Sequence, residues 1–64
     1  MTRAAAREDA KRLSLKHSIT MHVTYDDSYG YGADFYHAAT ESEMDTFFYG
    51  QPIYATYTHG EYVD

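Results

Sequence analysis

Four histidines, His17, His22, His37 and His59, are the side chains in this sequence best suited to bind a metal or move a proton. Their spacing argues against a metal. No HxH, HxxxH or HExxH pattern places two imidazoles on one helix face or strand face, and there is no cysteine to supply a thiolate. His22 and His37 could meet only across a hairpin whose register allows it. Asp26-Asp27-Ser28 ahead of Gly30 has the flavour of a calcium loop, but lacks the alternating oxygen positions and the closing glutamate. Ser14, Ser18, Ser28 and Ser42 have no spacing to a histidine and a carboxylate that sets them apart as nucleophiles. Gly30-Tyr31-Gly32 has acidic flanks and no lysine nearby, so it is not a phosphate cradle. The expectation is a protein without catalytic residues, metal or cofactor.

The chemistry that remains is that of contact. Tyr25-Asp26-Asp27-Ser28-Tyr29-Gly30-Tyr31-Gly32-Ala33-Asp34 packs carboxylates, tyrosines and glycines into one connector. Tyrosine offers a stiff apolar surface with a polar tip, and glycine lets a loop take backbone angles other residues avoid. Asp26, Asp27, Tyr29, Tyr31 and Asp34 are therefore candidate partner-binding residues. Glu41, Glu43 and Asp45 form a second acidic group with the same potential.

Charge is distributed unevenly. All five basic residues, Arg3, Arg7, Lys11, Arg12 and Lys16, fall in the first sixteen positions, where Glu8 and Asp9 leave a balance of +3. From His17 onward there is no lysine or arginine, and eight carboxylates accumulate. Such a body repels nucleic acid and anionic membrane and attracts a basic surface. Eight tyrosines and three phenylalanines could stack on bases, but here they are interleaved with carboxylates rather than with cations. Direct nucleic-acid binding is not expected.

The elements that position these residues can be read in order. Thr2 to Lys16 is rich in helix formers, with Thr2 able to cap it and a thin stripe of Ala6, Ala10 and Leu13. That stripe buries little area, so the pattern predicts a solvated or loosely packed basic helix. Ser18 to Tyr25 alternates as a strand, with Ile19, Met21, Val23 and Tyr25 on one face and Thr20, His22 and Thr24 on the other. Ala33 to Ala39 reads as a second strand and Ile53 to Thr58 as a third. Thr40-Glu41-Ser42-Glu43 is a capping box opening a short helix with Met44, Phe47 and Phe48 on its apolar face. Gly50 and Pro52 would end that helix. His59-Gly60 marks a turn, and Glu61-Tyr62-Val63 is a tail able to add an edge contact.

The predicted fold is one α+β domain over residues 1–64. It has a three-stranded antiparallel sheet in order 2-1-3, an N-terminal helix, and a short helix between the second and third strands. The Met44, Phe47 and Phe48 face would cover the sheet. The core would be Ile19, Met21, Val23, Phe35, Met44, Phe47, Phe48, Ile53 and Ala55, with Tyr25 and Tyr57 at the rim. A core of this size without disulfides is marginal, which favours a homodimer or a binding partner. No apolar run is long enough to span a membrane and no signal-like segment is present, so a cytoplasmic protein is expected.

In length, acidity, aromatic content and lack of cysteine the chain resembles the small acidic inhibitors that bacteriophages encode against host defence or DNA-repair enzymes, such as anti-CRISPR proteins and uracil-DNA glycosylase inhibitors. The resemblance rests on composition rather than a motif. It implies a DNA mimic that masks a basic nucleic-acid-binding surface, with a CRISPR effector as the leading target. The alternative is an antitoxin-like or homo-oligomeric interaction protein that mimics no nucleic acid.

Overall fold

The computed structural model describes residues 1–26 and 35–63. Helix α1 spans Arg3–His17 and is followed by strands β1 (Thr20–Tyr25) and β2 (Tyr36–Thr40). The short helix α2 (Glu41–Asp45) leads to strands β3 (Ile53–Thr58) and β4 (Glu61–Val63). The architecture is α+β. Its sheet is fully antiparallel and has four strands in the order β2-β1-β3-β4, not three, because the tail Glu61–Val63 pairs with β3. The 2-1-3 core of the predicted order is retained, with β1 central.

α1 starts where the sequence indicates. The Thr2 side chain accepts a hydrogen bond from the Ala5 N–H at 3.1 Å, satisfying one of the orphan donors of the first turn. It ends one residue later than read, on a left-handed Ser18 (φ +53°). The Ile19 N–H reaches back to the Ser14 carbonyl at 3.1 Å, which is a Schellman closure built without glycine.

The main correction concerns which helix covers the sheet. α1 is not a solvated arm. Ala6 and Ala10 are fully buried against Met21, Val23, Ala55 and Tyr57, and Ser14, at i+8, is fully buried beside the β3–β4 turn. Small side chains let the helix axis lie close to the strands, so little apolar bulk is needed to close the core. Leu13, Tyr36, Ala38 and Tyr54 pack around it. Tyr57 lies inside this core rather than at its rim.

The predicted anchors of the short helix do not form the core. α2 stops at Asp45, and Phe47 lies beyond it in a run of turns at 83% exposure. Phe48 and Met44 are half-buried, and Ile19 and Ile53 are exposed. The reason is that the capping box starts the helix correctly but nothing sustains it. The Thr46 and Phe48 N–H groups both turn back to the Glu43 carbonyl, so the chain leaves helical geometry well before Gly50. Gly50, at φ +82°, closes that series of turns instead of capping the helix.

β3 and β4 are joined by a two-residue turn in which His59 (φ +51°) and Gly60 (φ +81°) both adopt positive φ. Such turns match the right-handed twist of the flanking strands. The turn is fastened to α1. The Gly60 N–H donates to Ser14 Oγ at 2.9 Å, and a Cβ at Gly60 would lie 3.1 Å from Leu15 Cβ.

Three stability outcomes follow. Ala10→Leu should destabilise the fold by about 1–3 kcal/mol through overpacking, whereas Phe47→Ala should change stability by less than about 0.5 kcal/mol. Gly60→Ala should cost at least about 1–2 kcal/mol because a left-handed φ is imposed on a Cβ-bearing residue. Urea denaturation of the three variants measures all of these.

Candidate docking surface

The two faces of the sheet differ in kind. One is sealed by α1. The other carries Thr20, His22, Thr24, His37, Ala39, Thr56 and Thr58, and is partly covered by α2 and the turns after it. The alternating polar stripe on β1 looks like a solvent face in sequence, yet His22 is 7% and Thr24 0% exposed.

Both side chains are buried because each is hydrogen-bonded. Thr24 Oγ1 donates to the Pro52 carbonyl at 2.9 Å. His22 Nε2–H donates to Glu41 Oε1 at 2.6 Å, and Nδ1 is 2.8 Å from Thr56 Oγ1. Nδ1 and the Thr56 hydroxyl share the second hydrogen bond. This hydroxyl–imidazole–carboxylate chain clasps α2 to β1 and β3. Both ring nitrogens are already engaged, so the imidazole has no position left for a metal or a substrate. Among the described residues, no group of three or more His, Asp or Glu side chains is placed to hold a metal ion. The register sets Ala39 opposite His22 and Thr24 opposite His37, so the two histidines share a face without being paired.

The candidate partner-binding residues separate into groups. Asp27, Tyr29, Tyr31 and Asp34 lie outside the described residues. Asp26 is half-buried, and its N–H donates to the Phe35 carbonyl at 3.0 Å, which brings the ends of the connector together beyond β1 and β2. Glu43 serves the fold: its carboxylate accepts from the Thr40 N–H at 2.9 Å while Thr40 Oγ1 accepts from the Glu43 N–H at 3.1 Å. Glu41 has an internal partner in His22 yet keeps 69% of its side-chain surface in solvent. Asp45 is exposed.

The residues that sequence reasoning placed in the core, Phe47 and Ile53, belong to this surface instead. Phe47 and Tyr49 are 83% and 82% exposed. Between them, Phe48 turns inward, with its ring 5.4 Å from that of His37. The segment then runs back toward β3, whose Ile53 pairs with Thr24 near the Asp26 end of the sheet. The signal that could have revealed this is the consecutive triplet Phe47-Phe48-Tyr49 itself. A helix as short as this one cannot bury three successive large side chains on one face.

The two faces also differ in charge. α1 carries every lysine and arginine of the chain. Glu41, Glu43 and Asp45 sit on the opposite side with the exposed aromatics. No helix among the described residues is long and apolar enough to cross a membrane. No family model matches the chain, and no curated protein or solved structure was found to be similar to it.

A double-mutant cycle tests the clasp. His22→Ala, Glu41→Ala and the pair should give a coupling of about 1 kcal/mol, low for a charged hydrogen bond because Glu41 remains largely in water. Thr40→Ala, which removes one half of the capping box, should cost about 1 kcal/mol independently. Chemical denaturation reads both.

Proposed function

We propose that this chain is a protein-docking inhibitor that masks a basic, nucleic-acid-binding surface of its target. The observation that carries the reading is the pair Phe47 and Tyr49, each more than four-fifths exposed, a few residues along the chain from the exposed Glu41 and Asp45. Large aromatic side chains are costly to leave in water unless a partner covers them, and they are favoured as interface anchors. Surrounding carboxylates would steer the encounter toward lysines and arginines and discourage nucleic acid itself. The Tyr25–Asp34 connector, with its own acids and tyrosines, extends the same chemistry in sequence. A CRISPR effector is the target class that the resemblance to phage inhibitors puts first.

The division of labour should be measurable. In a DNA-binding assay with CRISPR effectors, the wild-type chain should suppress DNA binding. Phe47→Ala/Tyr49→Ala should raise the inhibitory concentration by about tenfold or more, mainly through faster dissociation. Asp45→Asn with Asp26→Asn/Asp27→Asn should slow association and flatten its salt dependence. An effector that binds DNA normally in the presence of excess chain would remove that target. Captured partners with no nucleic-acid site would overturn masking as the mechanism.

A further inference from the structure

The sheet has two edges, and they are treated differently. At β2 the Tyr36 N–H donates to the Met1 carbonyl at 3.0 Å, and the strand turns directly into α2. At the other edge lies β4, all three of whose residues are exposed. In a two-residue hairpin the closing pair, here Thr58 and Glu61, exchanges the ladder hydrogen bonds. The next pair, Tyr57 and Tyr62, is then the one without them. The Tyr62 N–H and C=O consequently point away from β3, toward the open edge.

The side chains around this edge form two recesses, with Tyr62 common to both. The larger, about 530 Å³, lies between α1 and β4 and includes Arg7, Glu8, Lys11, Tyr57 and Glu61. Arg7 is already committed. Its Nε donates to the Tyr57 hydroxyl at 3.1 Å and its guanidinium lies 5.8 Å from the Tyr62 ring centre. The hydrogen bond and the charge interaction with Tyr57 raise the pKa of Arg7 above its ordinary value. The smaller recess, about 270 Å³, is lined by the exposed Ile53 and Val63 with Thr56.

We propose that two copies of the chain associate through β4, antiparallel about a two-fold axis at Tyr62, so that their sheets continue into each other. A two-fold at Tyr62 pairs the one outward-facing N–H of each copy with the outward-facing C=O of the other, which is the hydrogen-bonded pair of an antiparallel ladder. Charge selects a copy over a foreign strand. The larger recess of each copy presents two cations, Arg7 and Lys11, and two anions, Glu8 and Glu61. An acidic strand would meet Glu8 and Glu61, and a basic one would meet Arg7 and Lys11. A second copy carries both signs, and a charge swap tests whether Glu8 of each copy meets Lys11 of the other. The pairing also covers Tyr62 and Val63. It uses the edge of the sheet, not the surface of Phe47 and Tyr49, so it stands or falls independently of the docking reading.

Sedimentation equilibrium from about 1 µM to about 1 mM, the range of weak to moderate association, is the test. The wild type should show a monomer–dimer equilibrium within that range. Tyr62→Pro deletes the outward N–H while sparing the ladder to β3, and should weaken association by about tenfold or more. Lys11→Glu should weaken it similarly by opposing like charges, and Glu8→Lys/Lys11→Glu should restore it to within about threefold of wild type. A wild type that stays monomeric at the highest concentration overturns the proposal. So does a folded Tyr62→Pro that associates normally, or a double swap no stronger than the single. If Tyr62→Pro does not fold by circular dichroism, the charge swap decides alone. Association abolished by Phe47→Ala but indifferent to the swap would place the contact on the other face and refute this one.

Discussion

The distance between α1 and the strands beneath it is set by Ala6, Ala10 and Ser14, and the rest of the molecule depends on that distance. Three small, fully buried residues at one-turn intervals let the helix settle onto Met21, Val23 and Ala55 with little apolar bulk between them. This is how so short a chain encloses a core. Larger groups flank the helix: the buried Tyr57 meets Arg7, and the half-buried Tyr54 meets Arg3. The Arg3 guanidinium lies 4.9 Å from the centre of the Tyr54 ring. Arginine here covers aromatic surface as well as carrying charge, so the basic residues of α1 contribute to packing while they keep the helix exterior polar.

Close approach also explains the shape of the opposite half. Because α1 alone seals one face, α2 need not be a packing helix. It can be a single capped turn clasped by His22 to the other face, followed by turns that project Phe47 and Tyr49 outward. Ser14 links the two ends of the design. Its Oγ donates to the Lys11 carbonyl and accepts from the Gly60 N–H, so one buried hydroxyl satisfies itself and fastens the β3–β4 turn. Replacing it with alanine would preserve the small volume but orphan the Gly60 donor.

The sequence was legible where local chemistry decides. The Thr2 cap, the Thr40–Glu43 capping box and the strand Ile53–Thr58 rest on residues within a few positions of one another, and the centrality of β1 follows from the short connections between the strands. It was misleading where tertiary contact decides. Ala6, Ala10 and Ser14 have too little apolar area to announce a core face, although their small size is what suits them to it. Phe47 and Ile53 have the hydrophobicity of core residues, but their faces were already supplied. His22 and Thr24 read as a solvent stripe because their hydrogen-bond partners, Glu41, Thr56 and the Pro52 carbonyl, lie far along the chain. Of the candidate surface, the acids of α2 were named from sequence as candidates, while Phe47, which is exposed, had been assigned to the interior.

The separation of charge has a consequence for how such a small protein can use its surface. The exposed acids Glu41 and Asp45 belong to α2, on the sheet face that α1 does not cover, whereas the β4 edge offers mixed charge next to the basic helix. An approaching basic surface is attracted to the first and gains nothing at the second, where Arg7 and Lys11 stand beside Glu8 and Glu61. A second copy faces the reverse situation: face-to-face contact would oppose its own carboxylates, and only the mixed edge lets like meet like without net repulsion. The two surfaces are therefore electrostatically orthogonal. Docking on a target and pairing with a copy can occupy one molecule together, and a pair would present two acidic, aromatic faces to the same partner, multiplying affinity wherever the partner's geometry lets both engage.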